Sequence, residues 1–137
     1  MKYVLSIENP ANHFIDFKLT IPSLKKDVFH LQLPSWRPGR YELGNFAKNL
    51  KDFDVKFSDG TDVEFKKVSK DSWEIKGLNK EVVITYSYYA SELNAGSTYL
   101  DENQLYVNPV NCFMYLPEFP DVQIDIDLKT PKSYKVF

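Results

Sequence analysis

Two histidines and one cysteine are the side chains of this 137-residue sequence best suited to hold a metal or attack a substrate. A zinc site needs three or four converging ligands. His13 opens an apolar row, "HFIDFKLTI", and His30 stands on the polar side of another, "FHLQL". Neither belongs to a His-Glu-x-x-His segment, and Cys112 is the only cysteine, so no metal ligand set and no internal disulfide is assigned. As a nucleophile Cys112 would need a neighbouring base and a positive environment. "VNCFMY" offers neither and reads as a buried thiol. Asp101 and Glu102 are adjacent, and neighbours in an extended segment point to opposite faces, which makes them a poor acid–base pair. "NAGS" is too short to read as a phosphate-cradling loop. The sequence therefore predicts no catalytic residue, no metal ligand and no cofactor within this chain.

Recognition chemistry is better represented. Residues 34–50, "PSWRPGRYELGNFAKNL", combine Trp36, Arg37, Arg40 and Tyr41 with two prolines. Pro34 and Pro38 lack an N–H and fix φ, so they stop a strand and exclude a helix there. Gly39 supplies a turn. Arginine stays charged at any ordinary pH and pairs carboxylates bidentately, and Arg, Trp and Tyr are enriched at binding hot spots. We expect a rigid loop whose Trp36, Arg37, Arg40 and Tyr41 pack on the long segment of residues 95–115, on a further domain as an interface, or on both. Residues 95–115, "AGSTYLDENQLYVNPVNCFMY", are too long for a hairpin turn and too aromatic for disorder. They read as a loop closing one end of the fold, a domain interface or a substrate-facing surface. A different reading uses Trp36, Trp73, Tyr86, Tyr88 and Tyr89 as a stacking platform for carbohydrate on a free-standing domain. The competing role for these rings is to fill sheets.

The elements that must position these residues are strands. Apolar side chains alternate with polar ones along Tyr3–Ile7, His13–Ile21, Phe29–Leu33, Val82–Tyr88 and Val122–Leu128. Strict alternation predicts strands with one face in a core and one in water, as in antiparallel sheets. In "FDVKFSDGTDVEF", a three-residue loop, Ser58-Asp59-Gly60, pairs Phe57 with Thr61, Val55 with Val63 and Phe53 with Phe65. It also sets Lys56 across from Asp62. A two-residue turn would put apolar opposite polar, so the longer loop is expected, with Gly60 in the left-handed region. "NFAKNLK", residues 45–51, has room for one or two helical turns. The fold class expected is all-β: a single, mostly antiparallel β-sandwich or saddle over residues 1–137, with at most one short helix.

Composition limits the partners. The chain is 43% hydrophobic, 26% charged and 15% aromatic, with a net charge of −2. That balance argues against nucleic acid, whose binders carry a basic face. No stretch is long enough for a membrane span, and no membrane partner is expected. The N-terminus turns polar at Glu8 and Asn9, unlike a signal peptide; cytoplasmic and secreted locations both stay open, since a removed signal would leave no trace. "TPKSYKVF" reads as the middle of a strand, and on that ground the chain is expected to be a fragment of a longer protein.

Three segments, "YVLSIENPANHFIDFKL", "LPSWRPGRYELGNFAKN" and "YYASELNAGSTYLDENQLYVNPVNCF", together resemble the N-terminal domain of the glycyl aminopeptidase family of zinc metallopeptidases. The resemblance covers nearly the whole chain. It implies a non-catalytic β-domain placed before a thermolysin-like catalytic domain, which carries a His-Glu-x-x-His zinc helix and a downstream Glu ligand. No such motif occurs here, so the resemblance transfers no catalytic or metal-binding residue. It implies that zinc belongs to the catalytic domain, that this domain is the chain's partner in the same polypeptide, and that peptide is met only through the whole enzyme. In related aminopeptidases a loop of the β-domain helps line the substrate pocket. By that analogy Tyr99, Tyr106, Asn108 and Asn111 are expected on a loop facing the cleft.

Overall fold

A computed structural model describes residues 1–135. The strands are β1 (Lys2–Ser6), β2 (Phe14–Ile21), β3 (Phe29–Gln32), β4 (Leu50–Phe57), β5 (Phe65–Ser69), β6 (Ser72–Ile75), β7 (Val82–Tyr89), β8 (Tyr99–Leu100), β9 (Leu105–Tyr106) and β10 (Asp125–Lys129). One short helix, α1 (Pro109–Cys112), and 3-10 turns at Pro10–Asn12 and Phe46–Asn49 complete the described elements. The chain is mostly β, as the alternation predicts. Five strands form one sheet in the order β10-β1-β2-β7-β4, three form a second in the order β3-β6-β5, and β8 and β9 pair alone. All these pairings are antiparallel except β1 with β10.

The alternating rows put their apolar members into a single core between the two larger sheets. Ile15, Phe17, Leu19 and Ile21 of β2 and Val82, Ile84, Tyr86 and Tyr88 of β7 are buried against Phe29, Leu31, Trp73 and Ile75 of the smaller sheet. Phe17 stacks on its cross-strand partner Tyr86, ring centroids 4.8 Å apart. Tyr3 meets Phe17 edge-on at 6.3 Å. Buried hydroxyls need partners, and here the partners are backbone. Tyr3 Oη donates to Met114 O at 2.9 Å and accepts from Met114 N at 2.9 Å. Tyr86 Oη donates to Cys112 O at 2.7 Å. Burial raises both tyrosine pKa values well above ordinary, so these protons stay in place. The three bonds fasten residues 112–114, and with them α1, to the larger sheet.

The β4 hairpin has the expected three-residue loop. Phe57 N donates to Thr61 O at 2.8 Å, Val63 N to Val55 O at 3.1 Å, and Lys56 bridges to Asp62. Gly60 sits at φ +87°. The rings of Phe53 and Phe65 lie 5.3 Å apart, and Lys56 Nζ stands 3.5 Å from Asp62 Oδ1. This hairpin carries the chain from the larger sheet into the smaller one.

Four expectations need correction. The row Val122–Leu128 yields a strand only over Asp125–Lys129, and that strand buries no face: Ile126 is 52% and Leu128 43% exposed. They pair with Tyr3 and Leu5, but the cover over those two residues does not extend to the sheet's edge. The helical expectation for residues 45–51 shrinks to the 3-10 turn Phe46–Asn49, because Leu50 already begins β4. The segment 95–115 is no plain loop; it contains β8, β9 and α1. Asn108 caps α1 through Val110 N at 3.3 Å, and Pro109 at the first helical position lacks only an N–H that would be unpaired anyway. Finally, "TPKSYKVF" shows a turn at Lys132–Ser133 rather than a strand, with Tyr134 N donating to Pro131 O at 3.0 Å; its Val136 and Phe137 lie outside the described residues.

Candidate functional site

At one end of the larger sheet β2 begins, β4 begins and β7 ends, so the connections before β4 and after β7 emerge together. These connections are the two unusual segments. In the first, Arg40 N donates to Arg37 O at 3.3 Å across Pro38-Gly39, and Gly39 has φ +85°. Proline second and a positive-φ glycine third make a type II turn, which holds Arg37 and Arg40 at its two ends. Trp36 Nε1 closes over it onto Arg40 O at 2.7 Å. Gly44 N returns to Ser35 O at 2.8 Å. Trp36 is half exposed and Tyr41 fully so.

The second segment is tied by asparagines. Asn94 Oδ1 accepts from Gly96 N at 2.9 Å. Asn108 uses both ends of its side chain, capping α1 and donating from Nδ2 to Gly96 O at 3.0 Å. Thr98 Oγ1 accepts from Asn108 N at 3.0 Å and lies 3.2 Å from Asn111 Oδ1. Tyr99 and Tyr106 face each other across the β8–β9 pair. The turn between those strands is held by Asp101, whose Oδ1 accepts from Asn103 N and Gln104 N at 2.8 and 2.9 Å. Those bonds, with Tyr99 Oη 3.2 Å away, hold the Asp101 carboxyl below its ordinary pKa.

Between the segments lies a cavity of about 350 Å³, lined among others by Arg37, Arg40, Asn49, Tyr88, Gly96 and Asn111. Arg37 lies over Gly96: a Cβ built there would overlap the Arg37 guanidinium. Asn49 Nδ2 donates to Tyr88 Oη at 3.2 Å, and burial pushes the Tyr88 hydroxyl up to about 12, so it stays protonated. Lys48 pairs with Glu92 at 3.1 Å on the rim. Arg40 reaches Glu42 only at 3.9 Å, with both side chains largely in solvent, a contact worth little. Arg37 has no carboxylate partner or side-chain hydrogen bond among the described residues, and neither does the buried Asn111 Nδ2.

The structure thus brings Arg37, Arg40 and Asn111 to one cavity. It places Trp36 and Tyr41 on the outside of the same loop, Tyr99 and Tyr106 on the neighbouring hairpin, and Asn108 within the framework rather than at a loop tip. Sequence reasoning missed Gly96 and Asn49, and named Tyr88 only as a stacking ring. Asn94-x-Gly96 is the one local hint, an Asx-turn pattern. Of the five rings considered for stacking, Trp73, Tyr86 and Tyr88 are buried, while Trp36 and Tyr89 reach the surface.

The groups able to do covalent or metal chemistry do not gather here. Cys112 is buried, and burial pushes its thiol up to about 12. His13 Nδ1 contacts Leu100 O at 2.5 Å. His30 has Glu118 at 2.8 Å on Nδ1 and Glu74 at 3.6 Å on Nε2, on opposite sides of the ring. Among the described residues no three His, Cys, Asp or Glu side chains converge on a metal position, and no helix is long and apolar enough to cross a membrane.

A family model described as the Peptidase M61 N-terminal domain matches residues 2–137. No curated protein matches. Among solved structures, an aminopeptidase N family protein from Idiomarina loihiensis superposes with a TM-score of 0.87 at 25% identity, over 96% of this chain and 22% of that one. The chain therefore spans about a fifth of that protein's length.

Proposed function

The chain belongs to the Peptidase M61 N-terminal domain family, and on that premise we propose that it seats and orients the catalytic domain of a zinc aminopeptidase and lines part of its substrate cleft. The observation that carries this reading is the convergence of the two unusual segments at one end of the sandwich. There they present Trp36, Tyr41 and Tyr106, exposed aromatics of the kind that anchor interfaces. On this reading zinc and its water-activating chemistry are supplied by the catalytic domain. What this chain supplies is shape: a β8–β9 hairpin braced by Asp101 and by Tyr134 Oη on Asp101 O. A rigid wall selects substrates by excluding large side chains.

Tyr106→Ala in the full-length peptidase tests this. Tyr106 is 53% exposed, so the change should leave the domain folded. On Gly-, Ala- and Leu-derived aminoacyl reporters we expect kcat/KM to fall about tenfold, roughly 1.4 kcal/mol of transition-state binding, or discrimination among the three to flatten. Zinc content should not change. Three rates equal to the parent's would leave the hairpin as a cap on the sandwich and overturn the proposal.

A further inference from the structure

Three aliphatic side chains at one edge of the larger sheet are only half covered. Ile124, Ile126 and Leu128 are 44%, 52% and 43% exposed. β10 pairs Ile126 with Tyr3 and Leu128 with Leu5, and paired residues share a face of the sheet. Tyr3 and Leu5 are buried. The face of β10 that carries Ile126 and Leu128 is therefore the core face of the larger sheet, running on past the cover of the smaller one. Ile124, just before the strand, extends the row. Asp125, Asp127 and Lys129 take the opposite face. Single exposed apolar residues need no explanation, but a contiguous apolar row marks a surface for a partner.

The direction of the chain selects the partner. β1 is antiparallel to β2 and β10 parallel to β1, so β10 ends where β2 begins, at the end of the sheet from which the two unusual segments emerge. Beyond it Tyr134 packs against the core, and its Oη donates to Asp101 O in the β8–β9 turn. Eight residues lead from Lys129 to Phe137, at most about 29 Å of extended chain. A domain joined after Phe137 is held within that reach of β10, whereas a second copy has no such tether. A stable interface between separate molecules buries about 1,000 Å² or more, well beyond three half-covered side chains. A short tether supplies an effective concentration of about mM, which lets a small apolar contact hold.

We propose that the face of β10 formed by Ile124, Ile126 and Leu128 is a docking surface for the catalytic domain of the same polypeptide, which meets it with an uncharged aliphatic surface. This inference rests on the proposed role in a peptidase and adds to it a second contact, on the flank of the larger sheet rather than at its end.

The test compares the 137-residue chain with the full-length peptidase by nuclear magnetic resonance, both labelled at the Ile and Leu methyl groups, in the presence of a soluble gadolinium chelate. In the shorter chain the chelate should broaden the Ile124, Ile126 and Leu128 methyl signals. In the full-length protein those signals should lose most of that broadening. Ile126→Thr combined with Leu128→Gln changes exposed positions only, so the Tm of the shorter chain should move by no more than about 2 °C. In the full-length peptidase the same pair should speed proteolysis between the domains about tenfold, by raising the population of undocked molecules. Unchanged proteolysis would overturn the proposal. Methyls equally broadened in both proteins, with the Trp36 ring shielded in the longer one, would overturn this surface and leave the peptidase reading standing. Methyls and Trp36 equally exposed in both would overturn the two together. Shielding that grows with the concentration of the shorter chain would assign the face to a second copy and overturn the proposal as well.

Discussion

Removing the Tyr3 hydroxyl probes how firmly the sheet holds the candidate site. Tyr3 is wholly buried, and its Oη meets both Met114 O and Met114 N at 2.9 Å. In Tyr3→Phe the ring stays, so packing changes little, but two buried backbone groups lose their partner. At about 1–3 kcal/mol for each unpaired buried group, and allowing for partial relaxation, the loss should be about 2–4 kcal/mol. Tyr86→Phe frees a single group, Cys112 O, and should cost about half as much. Over 137 residues the unfolding entropy is about 0.29 kcal/mol/K, so Tm should fall by roughly 7–14 °C for Tyr3→Phe and roughly 3–7 °C for Tyr86→Phe. Urea unfolding followed by fluorescence of the buried Trp73 gives the free energies, and thermal circular dichroism gives Tm. The ratio is the sharper readout. Equal losses for the two variants, or a Tyr3→Phe loss under about 1 kcal/mol, would show that the hydroxyls do not anchor residues 112–114 as described.

At Gly60 open space surrounds the position of an added Cβ, so Gly60→Val meets only backbone strain at φ +87°. It should cost about 1–2 kcal/mol, and an unchanged Tm would contradict the three-residue hairpin. Asp101 has a depressed pKa, caused first by the Asn103 N–H, so its contribution is present above the unfolded carboxyl pKa and is lost as pH falls through the folded one. The β8–β9 turn should therefore loosen in acid. Amide protection at Asn103 and Gln104 should fall with pH in the parent chain and stay flat in Asp101→Asn, and a flat parent profile would refute the bracing role.

Where a residue's neighbours are set by period, the sequence told its place. Ile15, Phe17, Leu19 and Ile21 alternate and are buried, and Gly60 with its flanking pairs determined a hairpin register. Strands of two residues, such as β8 and β9, have no period to detect, which is why the segment around them looked like a loop. The edge row Ile124, Ile126 and Leu128 shows the opposite failure. Alternation reveals that one side is apolar, but not how far the opposing sheet reaches. The cavity was legible only in part. Trp36, Arg37 and Arg40 stood out by residue type and Asn111 entered through the family analogy, yet no local pattern joins Arg37 to Gly96, about sixty positions along the chain. The contact exists because β2, β4 and β7 bring both connections to one end, a fact of topology rather than of either segment.

The parallel pairing of β1 with β10 has a consequence for how the chain is made. Lys2 lies opposite Asp125, so the outer edge of the first strand is closed only once Asp125 and the residues after it have been made. At about 5–20 residues per second of synthesis, that edge stays open for roughly 6–25 s after β1 emerges. During that interval its backbone N–H and C=O groups offer a template to any other extended chain. The strand that ends the exposure carries Asp125, Asp127 and Lys129 among its apolar residues. Charges spaced in this way act as gatekeepers against stacking on further strands, so the closing strand also protects the new edge it creates.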